Sequence, residues 1–153
     1  MRTLELKVPP LAVILLAGAA MWFVAGRSAP CRLSLTVRLG AFAVLALAGG
    51  AIALEGTLEF RRMRTTIDPL KPENSSALVT SGIYRFTRNP MYAGLALVLL
   101  AWAAFLCSFW ALIGPAVFVL YIGRLQIAPE ERALFAKFGA AYTEYAARVR
   151  RWL

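Results

Sequence analysis

The chain has 153 residues, of which 60% are hydrophobic, and it carries a net charge of +9. Its mean hydropathy of +0.65 and its apolar content, compared with about 45 to 50% in a typical soluble domain, indicate an integral membrane protein. The chain has no histidine, and its two cysteines form no cluster. The sequence therefore predicts no metal site and excludes a Ser-His-Asp arrangement.

Four apolar segments have the length that a membrane-spanning helix needs, about 17 to 25 residues. We predict these helices at 8–26, 33–54, 90–107 and 109–125. A secretory signal is the alternative for the first segment, with Arg2 and Lys7 as its basic region. We favour a retained helix, because the apolar run is longer than the usual signal core.

Two polar segments accompany these spans. In the cytoplasmic loop 55–89, the first half of the polar segment 55–80 is expected to continue the second helix. The Pro-containing half of that segment is expected to be irregular. Over 129–152, apolar residues recur every three or four positions opposite charged ones. This pattern predicts an amphipathic helix at the membrane interface, so the fold class is all-α, with four transmembrane helices and one interfacial helix.

Four spans place both termini and the 55–89 loop on the same side of the membrane. Of the 17 Lys and Arg residues, only Arg27, Arg32 and Arg38 fall on the other side. The positive-inside rule therefore predicts cytoplasmic termini, and we expect a bacterial inner membrane. Because this asymmetry explains the basic charge, no nucleic-acid partner is predicted. Membrane lipids are the expected partners of the basic face.

Two features of the apolar segments leave alternatives open. Cys31 and Cys107 both fall near the outer ends of helices, where a disulfide can form if that side is oxidising. Free thiols are favoured, because sequence alone does not define their separation. Gly49 and Ala53 have the four-residue spacing that permits close helix packing, as do Ala46 and Gly50. Chance is the favoured explanation in such an Ala-rich helix.

The stretch 81–94, SGIYRFTRNPMYAG, combines charge, aromatic rings and a helix-start signal. Asn89 is expected to cap the helix with its side chain, and Pro90 to occupy the first helical position. The positive end of the helix, with Arg85 and Arg88 beside it, would attract an anion. An interfacial anchor is the alternative, because Arg and Tyr commonly mark membrane boundaries.

The last two spans form a hairpin that returns to the same membrane face. That face then holds Tyr84, Arg88, Asn89, Tyr92, Glu130 and Glu131. Arginine and a helix start suit an anion, and carboxylates and aromatic faces suit a cation. The two glutamates are also expected to complement the dipole at a helix start, and at most one should face the pocket. For Tyr142 and Tyr145, packing against the bilayer or the fourth helix is favoured.

Three features follow one another in the chain: ALVTSGIYRFTRNPMYAG, an apolar hairpin and PEERALFAKFGAAYTEYAARVRRW. In this order they resemble the isoprenylcysteine carboxyl methyltransferase and phospholipid methyltransferase superfamily. The resemblance begins near residue 76, and the first two helices carry no family signal. It implies a methyltransferase that uses S-adenosylmethionine, held between the hairpin and the C-terminal segment. By this resemblance the cofactor-binding residues are Leu78, Val79, Tyr84, Asn89, Pro90, Met91, Tyr92, Glu130 and Glu131.

The acceptor is expected to be amphiphilic and to enter from the bilayer, with Arg88 positioning its reactive head. Asn89 stands where the carboxyl methyltransferases usually have His. Gln126 stands where they have a substrate-binding arginine, and Arg124 is the nearby candidate for that role. These departures disfavour a prenylcysteine carboxylate relative to a lipid amine or a thiol. The sequence defines neither the acceptor nor the oligomeric state.

Two other functions are compatible with parts of the sequence. Some membrane sterol reductases resemble the same C-terminal region and use NADPH, although this chain is short and shows no clear site for a second phosphate. A non-enzymatic four-helix protein that binds lipid or a partner would have the same topology. Methyl transfer is the favoured interpretation.

Overall fold

The computed structural model describes residues 5–28, 31–65 and 75–152. These residues form six α-helices with short 3-10 turns and one π-helical turn between them. The α-helices are α1 (Pro10–Ala25), α2 (Leu35–Arg62), α3 (Pro90–Leu106), α4 (Ile113–Ile122), α5 (Ala128–Phe138) and α6 (Ala140–Arg148). The 3-10 turns are Gly82–Arg85 and Phe109–Leu112, and the π-helical turn is Gly123–Ile127.

The predicted spans correspond to helices of unequal length. Two helices are long and apolar enough to cross a membrane, namely α2 with 28 residues and the stretch Phe109–Phe138 with 30. α1 and α3 are also apolar but have only 16 and 17 residues. α2 continues to Arg62, as expected for the first half of the segment 55–80. Most of the Pro-containing half, 66–74, lies outside the described residues.

The prediction of one helix over 129–152 is wrong. The helix of the fourth span continues through the π-helical turn into α5, and it ends at Gly139. Gly139 has a φ of +52°, which glycine adopts at no steric cost because it has no Cβ. α6 then ends at Arg148, and Val149 is extended. The apolar periodicity persists across Gly139, so it did not reveal the break.

Small residues form the contact between α2 and α3. A Cβ added at Gly49 would lie 2.6 Å from the carbonyl oxygen of Gly94, and one at Gly94 would meet the backbone of Gly49 and Ala53. The chance explanation is therefore wrong for Gly49 and Ala53. No atom comes within 4 Å of a Cβ added at Gly50, so that residue takes no part in the contact.

α1 packs against the other side of α3 and against α4. The indole nitrogen of Trp102 donates a hydrogen bond of 3.1 Å to the carbonyl of Gly18. Met21 is 2% exposed and lies directly against Gly114 of α4. Large apolar side chains on the outer faces stay exposed, as expected for lipid-facing helices. They include Leu11, Leu15, Leu16, Val44, Leu47 and Leu54.

The helices alternate in direction, so their termini gather at two ends. At one end the amide of Leu6 donates to the carbonyl of Leu125, at 3.1 Å. At the other end the hydroxyls of Ser28 and Ser108 share a hydrogen bond of 2.8 Å. We call the first the polar end, with residues 5–7, 59–62, 84–92 and 125–131. We call the second the disulfide end, with residues 27–28, 31–38 and 105–112.

A disulfide joins Cys31 to Cys107, with their Cα atoms 5.6 Å apart. The expectation of free thiols is therefore wrong. Cys107 follows the last residue of α3 in a left-handed conformation, with a φ of +51°. The bond links the α1–α2 connection to the tight turn of the hairpin. The 76-residue separation of the two cysteines hid this proximity from the sequence.

Candidate functional site

The end of α2 holds the turn that precedes the site. Ser81 donates a hydrogen bond of 2.8 Å to Oε2 of Glu59. Glu59 is only 6% exposed. Gly82 has a φ of +56°, and a Cβ at this position would collide with the Glu59 side chain. Glycine therefore allows the 3-10 turn Gly82–Arg85 to lie directly on α2. This contact fixes where the chain enters α3.

α3 begins at Pro90, as predicted, but the Asn89 side chain does not cap it. Nδ2 of Asn89 donates instead to the carbonyl of Arg151, at 3.0 Å. Two backbone amides before α3 also donate hydrogen bonds. The Arg88 amide donates to the carbonyl of Arg150 at 2.9 Å, and the Asn89 amide donates to Oγ1 of Thr87 at 3.2 Å. The C-terminal segment therefore runs along the entrance to α3.

A hydrogen-bonded cluster joins α3 to α5. The hydroxyl of Tyr92 donates to Oε1 of Glu130 at 2.5 Å, and Nε2 of Gln126 donates to the same oxygen at 2.7 Å. Tyr92 and Gln126 are 6% and 2% exposed. Gln126 lies in the π-helical turn, and such turns are frequent at functional sites. We call these three residues the Glu130 cluster.

A second group surrounds the neighbouring carboxylate. Nη1 of Arg88 lies 3.3 Å from Oε1 of Glu131, and Arg151 forms an ion pair with the same side chain. Nη1 of Arg88 also donates to the hydroxyl of Tyr142, at 3.5 Å. Nε of Arg88 is buried and has no hydrogen-bond partner in the described part of the chain. We call these four residues the Glu131 cluster.

The two glutamates take different partners, as expected for adjacent side chains about 100° apart on a helix. Both lie in the first turn of α5, as expected, but this turn is not a free helix N-terminus. The helix runs on from α4 through the π-helical turn, so no free set of N-terminal amides lies beside Glu130 and Glu131. Their contacts with α3 and the C-terminal segment explain their positions instead.

Tyr142 and Tyr145 face inwards, which corrects the expectation that they pack against the bilayer or the fourth helix. The hydroxyl of Tyr145 donates to the carbonyl of Tyr84, at 2.8 Å. Burial raises the pKa of the Tyr84 and Tyr145 phenols above the ordinary value, so both stay protonated near neutral pH. α6 thereby covers the turn before α3.

The remaining predicted site residues belong to neither cluster. Val79 is buried, and Leu78 is half-buried. Pro90 and Met91 face α2, where both lie against Gly56. Arg124 is exposed, and no hydrogen bond or ion pair within 5–28, 31–65 or 75–152 joins it to either cluster.

Sequence reasoning missed part of the site. It noted Gln126 only as a departure from the family pattern, and it assigned no role to Thr87 or Arg151. Thr87 is completely buried, and its hydroxyl donates to the Arg151 carbonyl at 3.3 Å. A polar residue three or four positions before a predicted site residue on a helix was the available signal for Gln126.

The two clusters present complementary chemistry within one short stretch of surface. The Glu130 carboxylate and the neighbouring tyrosine rings suit a cationic group, because carboxylates and aromatic faces attract positive charge. The guanidinium of Arg88, whose Nε is buried, suits an anionic group. The site therefore has the features expected for a small molecule that carries both charges.

Comparison with known proteins identifies the relatives of this arrangement. The model of the phospholipid methyltransferase family matches residues 37–141. Protein-S-isoprenylcysteine O-methyltransferase B of Arabidopsis thaliana is 34% identical over 88 residues, which are 58% of this chain and 45% of the plant protein. Protein-S-isoprenylcysteine O-methyltransferase A of the same plant is 29% identical over 106 residues, which are 69% and 54% of the two chains.

A third relative is an uncharacterised protein of Haemophilus influenzae. It is 48% identical over 63 residues, which are 41% of this chain and the whole of that protein. No solved structure matches the chain. The chain spans about half the length of the two plant enzymes. Because the family match covers more than half of the chain and includes both glutamates, this protein belongs to the phospholipid methyltransferase family.

Proposed function

We propose that the protein is an S-adenosylmethionine-dependent methyltransferase that acts on an amphiphilic acceptor at the membrane interface. The observation that carries this proposal is the direct contact between the two halves of the site. Tyr92 at the start of α3 bonds Glu130 of α5, and Arg88 pairs with Glu131. Membership of a methyltransferase family supplies the reaction class.

The residues present fit the proposed cofactor. S-adenosylmethionine carries a sulfonium, an ammonium and a carboxylate. The Glu130 carboxylate and the Tyr92 ring would hold the cationic part, and the buried Nε of Arg88, which has no partner among the described residues, would bind the carboxylate. Leu78, Val79 and Asn89 precede this site in the chain and would complete the pocket.

When bound, the cofactor would supply an electrophilic methyl group. The protein's contribution is to hold the acceptor in line and to exclude water, which effective-molarity arguments value at up to about 7 to 11 kcal/mol. A thiolate or carboxylate acceptor needs no general base, and an amine can lose its proton afterwards. The absence of histidine is therefore compatible with this chemistry.

The topology supports a site at the inner membrane face. Three contacts join helix ends at the polar end. Leu6 bonds Leu125, Ser81 bonds Glu59, and Arg88 pairs with Glu131. We propose that α1, α2, α3 and the Phe109–Phe138 stretch all cross the membrane, with the polar end in the cytoplasm, and that a bacterial inner membrane contains the protein. The excess of Lys and Arg at the polar end supports this orientation.

We propose an acceptor with an apolar tail and an amine, thiol or carboxylate head. The names of the plant relatives indicate an isoprenylated cysteine substrate for those proteins. In this chain, Gln126 is engaged with Glu130 and Arg88 with Glu131. These contacts favour an amine, because an anionic carboxylate or thiolate head would need an additional cation.

Calorimetric titration of the purified protein with S-adenosylhomocysteine tests the proposal. We expect saturable binding that weakens about ten-fold or more in Glu130→Gln, because hydrogen bonds to charged groups contribute about 1.5 to 3 kcal/mol. Glu144→Gln is the matched control, since Glu144 is exposed and pairs only with the exposed Arg148 among the described residues. This control should bind like the unmodified protein.

Two other outcomes would contradict the proposal. Binding of NADPH without binding of S-adenosylhomocysteine would identify a reductase. Binding of neither would support a non-enzymatic lipid-binding or partner-binding protein. If S-adenosylhomocysteine binds, a second experiment would define the acceptor. The protein is incubated with radiolabelled S-adenosylmethionine and a membrane extract, and the labelled product is identified.

A further inference from the structure

A groove of about 380 Å³ opens on the disulfide end, far from the two glutamate clusters. It lies between the start of α2, the end of α3 and the turn that follows. Its walls are almost entirely apolar and include Leu33, Val37, Ala104 and Leu112, and its one charged lining residue in the described chain is Arg38. Nothing in the proposed methyl transfer uses this groove.

The walls of the groove are held in place by contacts between distant parts of the chain. The Cys31–Cys107 disulfide ties the segment before α2 to the end of α3. Nε of Arg38 donates to the carbonyl of Phe105 at 2.6 Å, and the guanidinium carbon lies 5.0 Å from the centre of the Phe105 ring. The groove is therefore a feature of the folded bundle, and Arg38 has a fixed place in it.

The disulfide end carries positive charge without carboxylates. Arg27, Arg32 and Arg38 are there, whereas segments 8–54 and 90–129 contain no Asp or Glu. The start of α2, capped by Ser34, adds the partial positive charge of a helix N-terminus. Arginine has five N–H donors, and the hydrogen bonds of Arg38 within the described residues use only Nε. Its outer amino groups can therefore bind an anion.

We propose that this groove binds one anionic phospholipid, with an acyl chain along the apolar wall and the headgroup phosphate at Arg38. The charge of this end selects an anionic headgroup over a zwitterionic one. A peptide is excluded as the occupant, because the apolar wall offers no partners for its backbone groups. A free phosphate would leave the apolar part of the groove without a contact.

Native mass spectrometry of the protein in mixed detergent and lipid micelles tests this proposal. We expect one phosphatidylglycerol to be retained in preference to phosphatidylcholine. Arg38→Gln should reduce this preference about five-fold, the effect of one basic residue on an anionic lipid. Arg27→Gln is the matched control, because Arg27 donates to the carbonyl of Phe23 near the end of α1 and does not line the groove. It should keep most of the preference.

A second variant separates binding from folding, because Arg38 also bonds the end of α3. Ala104→Phe would fill the groove and keep every charge, and we expect it to release the retained lipid. Equal retention of both lipids, equal loss in Arg27→Gln and Arg38→Gln, or unchanged retention in Ala104→Phe would each overturn the proposal. Displacement of the lipid by inorganic phosphate alone would also overturn it, because the anion would then bind without the acyl chain.

Discussion

The polar end and the disulfide end of the bundle hold the chain together by different means. At the polar end, Glu130 accepts hydrogen bonds from two other residues and Glu131 pairs with two arginines. At the disulfide end, three arginines occur without a carboxylate, and a covalent bond joins the segments. Non-covalent polar contacts can rearrange around a ligand, whereas a disulfide cannot. The polar end can therefore adapt its contacts, whereas the disulfide end is covalently fixed.

Among the substitutions that test this comparison, removal of the disulfide should change the free energy of unfolding most. Cys31→Ser should lower the free energy of unfolding by about 4 kcal/mol, because the bond closes a loop of 76 residues and restricts the unfolded chain. Denaturant unfolding in mild detergent, with and without reductant, measures this change.

The control for this prediction is the reduced protein. Reductant should destabilise the unmodified protein as much as the substitution does, and it should leave Cys31→Ser unchanged. The affinity for S-adenosylhomocysteine at the polar end should stay within about two-fold, since it needs only a modest population of the folded state. A reductant that leaves the unfolding of the unmodified protein unchanged would contradict the prediction.

The contact between α2 and α3 lies between the two ends of the bundle. Gly94→Ala should disrupt this contact. The added Cβ would meet the backbone of Gly49 and Ala53, which cannot move aside as a flexible side chain can. We expect a loss of about 2 to 3 kcal/mol from overpacking, measured by thermal unfolding. Gly50→Ala is the matched control, and its open surroundings predict no loss. Equal effects of the two substitutions would show that the close approach does not matter.

Glu131→Gln tests the polar end without touching the Glu130 cluster. It would leave Arg88 and Arg151 without their carboxylate partner, and we expect a loss of about 1 to 2 kcal/mol in unfolding free energy. Arg151 should lose more order than Arg88, because Arg151 is more exposed and Arg88 also bonds Tyr142. Hydrogen exchange at the amides of 148–152 would report the release. Unchanged exchange there would show that Glu131 does not hold the C-terminal segment.

The smallest expected effect distinguishes two roles for Asn89. Asn89→Ala should cost about 1 kcal/mol, through loss of the hydrogen bond to the Arg151 carbonyl. Asn89→Ser should cost nearly as much, because a shorter side chain cannot make that bond even though serine is a good helix cap. Thermal unfolding of both variants gives the comparison. Full stability of Asn89→Ser would restore the capping role that the structure contradicts.

The predicted features that the structure confirms depend on local sequence. Proline at a helix start identified the first residue of α3. The apolar runs located two helices long enough to cross a membrane and two shorter apolar helices, because hydrophobic segments have few other stable forms in a membrane. The order of the motifs around Tyr92 and Glu130 identified the family. The meeting of Tyr92 and Glu130 followed from the predicted hairpin, since the helix after α3 returns the chain to the end where α3 begins.

The tertiary structure decided what depends on distant partners. The Cys31–Cys107 disulfide, the Gly49–Gly94 contact and the Asn89–Arg151 hydrogen bond each join residues that no local pattern relates. Composition and periodicity determined that this protein is a helical membrane protein with a polar site beside the hairpin. Only the packing of the helices determined which side chains meet there, because a side chain's partners depend on helix rotation and register, which hydrophobic patterns constrain only weakly.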